Sequence, residues 1–188
     1  MYAAKNITYS LFLTNVLAHY ILLLGVGWSI LFPKKRLWPP PQKRSWQYLS
    51  TWALFYLIFA IHIALIFLDW NSWLFKSYTR LFLGIPLVTV GLGFVSWGMF
   101  TLGIKNTSGL KDGFVNTGPY RYTRNPQYVG DTILFTGMIL VSNSFYVAIT
   151  HLLTILVFLL TPLTEERWLE NQYGEDYLEY KRTAPRFL

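Results

Sequence analysis

The residues able to do chemistry in this chain gather in two short stretches. The first is Thr117-Gly118-Pro119-Tyr120-Arg121-Tyr122-Thr123-Arg124-Asn125-Pro126-Gln127-Tyr128-Val129-Gly130. It joins two arginines and three tyrosines to a proline, Pro126, suited to the first position of a helix whose leading amides lack partners. The second is Thr164-Glu165-Glu166-Arg167. Each has a plain reading by itself: an interfacial loop anchored by Arg and Tyr, and a capped first helical turn with favourably placed acids. Brought together, they would line a pocket for a zwitterion. Helix amides and arginine hold a carboxylate, while carboxylates and tyrosine rings hold cations or ribose hydroxyls. S-adenosylmethionine carries all of these groups.

Other chemistries lack their residues. With no cysteine there is no disulfide, thiolate metal site or cysteine nucleophile. Gly91-x-Gly93 has neither the last glycine of a dinucleotide fingerprint nor a preceding strand, and phosphate-loop and G-x-S-x-G motifs are missing. His19, His62 and His151 each sit alone in a different apolar run, so hydrogen bonds between helices are expected of them rather than a metal site. Asp131, near the start of the fourth run, is expected to face protein or a water-filled cavity.

The elements that must position these stretches are membrane helices. Of the 188 residues, 53% are hydrophobic and only 13% charged, against about 25% charged in soluble domains. Apolar runs are read over Ile7–Phe32, Trp46–Leu68, Leu81–Leu102, Tyr128–Val141 and Phe145–Leu163. The first is too long for a signal-peptide core. Tryptophans and tyrosines bracket the second as an interfacial belt. In the third, Gly84, Gly91 and Gly98 recur every seven residues and mark a close helix contact. The fourth is short for a crossing and is read with the fifth as a helical hairpin. Six of the nine acidic residues fall in the tail from Thr164, which reads as an amphipathic surface helix. The expected fold is therefore all-α: an integral membrane bundle of about five transmembrane helices with a cytoplasmic amphipathic C-terminal helix. It is read as one domain over 1–188, with three N-terminal helices (1–102) and a cofactor-binding part (103–188).

Charge supports this arrangement. The net charge is +7, and all but Lys5, Lys76 and Arg80 of the 16 basic residues fall in Pro33–Ser45, Gly103–Gln127 and the tail. With an odd number of crossings these three segments share the cytoplasmic side. Basic loops beside apolar runs point to anionic lipid rather than nucleic acid.

The combination G-x-Y-R-x-x-R-N-P-x-Y-x-G, a hairpin, E-E-x-x-L, Tyr173-Gly174-Glu175-x-Tyr177-x-x-Tyr180 and Pro185-Arg186-Phe187 resembles the isoprenylcysteine carboxyl methyltransferase family over Leu102 to Leu188. Asn125 stands where that family usually has histidine; Asn125-Pro126-x-Tyr128 and Gly130-Asp131-Thr132 are similar to the phosphatidylethanolamine N-methyltransferases, which share the architecture. The resemblance implies an S-adenosylmethionine-dependent membrane methyltransferase acting on a lipophilic acceptor, in a bacterial inner membrane or the endoplasmic reticulum. It implies that Gly118, Tyr120, Arg124, Asn125, Pro126, Tyr128 and Gly130 shape the cofactor's amino-acid end. Glu165 and Glu166 would contact its ribose or amino group. Arg121 or Arg124 would place a carboxylate acceptor; Glu165, Glu166 or Asp131 would take a proton from an amine acceptor. Two other readings remain: a nicotinamide-dependent reductase related to sterol reductases, which share part of the C-terminal pattern, and a non-catalytic membrane scaffold.

Overall fold

The computed structural model describes the backbone of residues 2–75 and 77–188 and side chains of 5–75 and 77–188. Lys76, one of the three basic residues placed on the opposite face, lies outside the described residues. Helix α1 spans Tyr2–Leu31 and α2 Trp46–Leu68, the latter capped by Ser45, whose hydroxyl accepts from the Tyr48 amide. Helix α3, Thr79–Leu102, stops at Gly103, whose φ of 81° no ordinary side chain adopts easily. A single-turn helix, α4 (Ile104–Thr107), and a 3-10 turn at Gly118–Arg121 follow. Pro126 starts α5 (Pro126–Ser142), and Asn143, in the left-handed region, ends it. Ser144 caps α6, Phe145–Tyr173, and α7 covers Glu175–Thr183 with acids in its first turn and bases in its last, matching the helix dipole.

No strand occurs among the described residues, and α1, α2, α3 and α6 are long and apolar enough to cross a bilayer. Helix α5, at 17 residues, extends about 25 Å, short of the roughly 30 Å hydrocarbon core. The end of the fifth run differs from expectation. Helix α6 does not stop at Leu163 but continues through Tyr173. Thr164 is no N-cap: its hydroxyl bonds back to the Thr161 carbonyl at 2.8 Å, and nothing breaks the helix before Gly174. Glu165 and Glu166 therefore ride on the last turns of a long helix that continues past Pro162.

Helices α1, α2 and α6 form the core with Phe135 of α5, through Ala18, Leu22, Val26, Ile58, Val157 and Phe158. Helices α3 and α5 form a separate, tight pair. A Cβ on Gly91 would lie 2.5 Å from the Leu134 amide nitrogen, and one on Gly137 2.7 Å from the Val88 nitrogen. The glycines of both helices thus let the backbones touch, as the seven-residue spacing predicts. The histidines come together across α1, α2 and α6: His62 lies 5.6 Å from His19 and 4.4 Å from His151, ring centre to ring centre. His19 makes the expected interhelical bond, Nε2 to Thr154 Oγ1 at 2.7 Å, whereas neither ring nitrogen of His62 has a hydrogen-bond partner. No group of three or more metal-ligating residues is arranged to hold an ion among the described residues.

The polar segments sort to the two ends of the bundle. Residues 33–45, 103–125 and the C-terminal tail meet at one end: the Arg124 amide donates to the Pro185 carbonyl, and Arg167 reaches the Ile30 carbonyl. Residues 69–80 and 142–144 meet at the other.

Candidate active site

At the first end lies a pocket with about 770 Å³ of atom-free space, open solvent at its mouth included. Its walls come from four places in the sequence. The post-α1 loop gives Pro39, and the segment after α3 gives Asn106, Thr107 and Phe114. The start of α5 and the loop before it give Tyr120, Arg124, Asn125, Gln127 and Tyr128, and the end of α6 with α7 gives Glu165, Trp168, Tyr177 and Tyr180. The two stretches singled out in the sequence therefore converge, because α6 carries Glu165 back beside the start of α5.

Glu165 is the centre of one wall. Its Oε1 accepts from the Tyr128 hydroxyl at 2.7 Å and from Trp38 Nε1, also at 2.7 Å. The two donors hold the carboxylate in one orientation. Opposite in character is Arg124, whose side chain is 8% exposed. Its Nη1 lies 3.3 Å from Glu166 Oε1 without hydrogen-bond alignment, and its Nε has no hydrogen-bond partner. A buried guanidinium with N–H groups to spare, at the edge of a pocket, is set to receive an anion.

Tyrosines line the remainder. Burial pushes the Tyr120 and Tyr177 hydroxyls well above the ordinary tyrosine range and Tyr180 to about 12, so all stay neutral donors at physiological pH. Gln127 Nε2 donates to the Tyr120 hydroxyl at 3.0 Å, and the Tyr180 hydroxyl donates to the Tyr120 carbonyl at 2.6 Å. Phe114 packs edge-on against Tyr180, completing an aromatic cluster.

The other sequence-predicted site residues stand elsewhere. Asn125 lines the pocket, but its amide donates to the Arg186 carbonyl at 3.0 Å and so pins the tail. Glu166 faces away from the pocket: Arg186 forks onto both its oxygens, at 2.6 and 3.0 Å, with Lys181 3.6 Å away. That fork holds the Arg186 guanidinium above its usual range. Gly118 packs on Thr101 and Trp97, and Gly130 on the α3 backbone at Gly91 and Val95. Pro126 is buried at the start of α5, and Arg121 is exposed. Trp38 was not singled out in the sequence. Its loop reads as basic and proline-rich, and a lone tryptophan at a membrane edge signals an anchor; that it reaches Glu165, 127 positions away, follows only from the packing of α1 on α6.

A second, apolar cavity adjoins the pocket: Tyr128 lines both, and Trp38, which donates to Glu165, lines the apolar one. Leu22 and Val26 of α1, Leu54 and Phe55 of α2, and Val157 and Phe158 of α6 line it. It runs along α2 from Trp46 to Phe55, about 13 Å at 1.5 Å per residue. Trp38, Tyr128 and Glu165 thus separate a polar space from an apolar one.

The family model described as phospholipid methyltransferase matches residues 79–176, just over half of the chain. The chain is also 31% identical over 109 residues to the cobalt-zinc-cadmium resistance protein CzcN of Cupriavidus metallidurans, a match covering 56% of this chain. The match spans 46% of that protein, less than half its length. No solved structure matches.

Proposed function

The chain belongs to the phospholipid methyltransferase family, and from that premise we propose that it is an integral membrane methyltransferase using S-adenosylmethionine on a lipophilic acceptor. The observation that carries the proposal is the junction at Glu165, where a polar, arginine-edged pocket meets an apolar cavity between helices. The polar pocket fits the cofactor by its donor set. Arg124, with an unpartnered buried N–H, would hold the carboxylate; Glu165 and the tyrosine rings would favour the positive end. When bound, S-adenosylmethionine supplies an electrophilic methyl on a sulfonium.

The rest is done by the chain's own residues. The apolar cavity would take the acceptor's hydrocarbon from the bilayer and present its polar end at Trp38, Tyr128 and Glu165, fixing approach and excluding water. A carboxylate acceptor needs no proton transfer, only placement at the junction of the two spaces, since Arg124 would be engaged by the cofactor and Arg121 is exposed. An isoprenylcysteine-like acid fits that case. An amine acceptor needs a proton sink. Glu165, already accepting two hydrogen bonds, stands at the junction to take it, and this together with the family match supports a phospholipid amine as the second reading. The basic end of the bundle would lie in the cytoplasm by the positive-inside rule, with all 188 residues acting as one domain.

Calorimetry with S-adenosylhomocysteine on detergent-purified protein tests this. Micromolar binding is expected, with a loss of at least tenfold in Glu165→Ala, about 1.4 kcal/mol. Well-folded protein that binds no S-adenosylhomocysteine but binds a nicotinamide dinucleotide would replace the methyltransferase by a reductase.

A further inference from the structure

The loop between α1 and α2 carries Lys34, Lys35, Arg36, Lys43 and Arg44 and no acidic residue. Among the described residues none of the five is ion-paired. Three of them are not spread over the surface but line one cleft. Lys34, Lys35 and Arg36 form it with Trp28 of α1 and with Trp46 and Gln47, the first two residues of α2. Like charges side by side repel, and here the fold enforces the grouping. Trp28 Nε1 donates to the Lys35 carbonyl at 3.0 Å, and Arg36 Nε to the Pro39 carbonyl at 2.9 Å. The Arg36 guanidinium is partly withdrawn from water, which lowers its proton affinity, yet no carboxylate compensates it.

Two features say what kind of anion the cleft takes. First, Trp46 is 64% and Trp28 44% exposed beside the cations, at the ends of two membrane-spanning helices. That places the cleft at headgroup depth, where indole rings settle. Second, the cleft shares Leu37 and Trp46 with the apolar cavity. A ligand held here has hydrocarbon-lined space next to its anionic group. A free anion would use only the first part, and a soluble acidic partner neither the depth nor the cavity.

We infer that this cleft is a binding site for an anionic phospholipid of the surrounding bilayer, with the lipid phosphate on Lys34, Lys35 and Arg36 and one chain passing Leu37 and Trp46 toward the apolar cavity. The site stands apart from the polar pocket and holds whether or not that pocket takes a cofactor. Occupied, it offsets part of the loop's positive charge and sits at the mouth of the cavity.

Native mass spectrometry of the full-length protein, titrated with phosphatidylglycerol and phosphatidylcholine of identical chains, tests the site. Phosphatidylglycerol is expected to bind at least tenfold tighter. Lys34→Gln/Lys35→Gln, which leaves the Arg36 bond to Pro39 in place, is expected to lose about tenfold. Lys43→Gln/Arg44→Gln removes the same charge from the same loop outside the cleft and is expected to stay within about twofold. Equal losses in the two variants would reduce the site to diffuse loop charge and overturn it, as would equal affinity for the two lipids. Displacement of phosphatidylglycerol by 10 mM inorganic phosphate would make it a free-anion site and overturn the lipid assignment. Thermal unfolding of each variant within a few degrees of the parent shows that a loss of binding is not a loss of fold.

Discussion

The two ends of the bundle are built from the same kinds of residue and end in opposite states. At the far end, Asn143 adopts the left-handed conformation between α5 and α6 and spends its whole side chain. Its Nδ2 donates to Asn71 Oδ1 at 2.7 Å and to the Phe75 carbonyl at 2.9 Å, while its Oδ1 accepts from the Phe75 amide at 2.9 Å. Asp69 accepts from Ser72 and Ser144 in the same knot. At the near end, the Arg124 side chain, 8% exposed, keeps an N–H without a partner beside a pocket. Arg80 at the far end also keeps unpartnered N–H groups, but its guanidinium lies over the Trp70 ring and donates to Asn71 Oδ1. The far end uses its polar groups to close a turn. The near end holds them around a space, and stability there is given up for readiness to bind.

Breaking the knot should give the largest effect. Asn143→Ala removes three hydrogen bonds and leaves at a positive φ a residue without the local side-chain bonding that lets asparagine adopt it, costing about 3–4 kcal/mol. Thermal unfolding in detergent is expected to show it as a drop of several degrees, with S-adenosylhomocysteine affinity of the folded fraction unchanged. Asn143→Gly keeps the backbone comfortable and should recover about 1 kcal/mol of that. Next comes the pocket. Arg124→Ala should weaken S-adenosylhomocysteine by about 2 kcal/mol, roughly thirtyfold, with little change in unfolding temperature. A large fall in stability with unchanged affinity would make Arg124 a second structural knot and erase the contrast between the ends.

The tail gives a smaller effect. Glu166→Gln loosens the fork to Arg186, which with Lys181 is more than a third exposed, and removes the charge facing the buried Arg124, for a cost of about 1–2 kcal/mol. Trypsin cleavage after Arg182 is expected to quicken before global unfolding changes. The smallest effect is set by pH. Tyr180 ionises at about 12 in the folded protein because burial disfavours its phenolate, against about 10 when unfolded. Its contribution is complete below pH 10 and fades as pH rises from 10 to 12, since only the unfolded chain loses the proton in that window. A Tyr180→Phe variant should show a shallower alkaline loss of stability.

Much of this was legible in the sequence. Lipid dictates helices of set length, so composition and run lengths marked five apolar runs, four of which are helices long and apolar enough to cross, and three glycines at a spacing of seven marked a close helix contact, whose partner is α5. The two stretches that carry Tyr120, Arg124, Tyr128 and Glu165 stood out by residue type, and the family resemblance singled out those four, which line one pocket. Other assignments turned on which way a side chain points. Glu165 and Glu166 are neighbours, yet on a helix they lie about 100° apart. One faces the pocket and the other ties down the tail. A one-dimensional pattern cannot separate them, nor tell that Gly118 and Gly130 serve packing.

Sequence by itself determined the class of the molecule: apolar runs that only helices can satisfy in a membrane, basic segments gathered at one end, and two motifs suited to a charged cofactor. Tertiary structure alone decided which of those residues meet. Helix α6 continues past Pro162 and carries Glu165 to Trp38 and Tyr128, and so places a polar pocket against an apolar cavity. The physical reason is range. Hydropathy and helix-breaking act within a few residues, whereas this site is made by contacts between positions such as Tyr128 and Glu165, 37 apart, and Trp38 and Glu165, 127 apart, fixed by how whole helices pack.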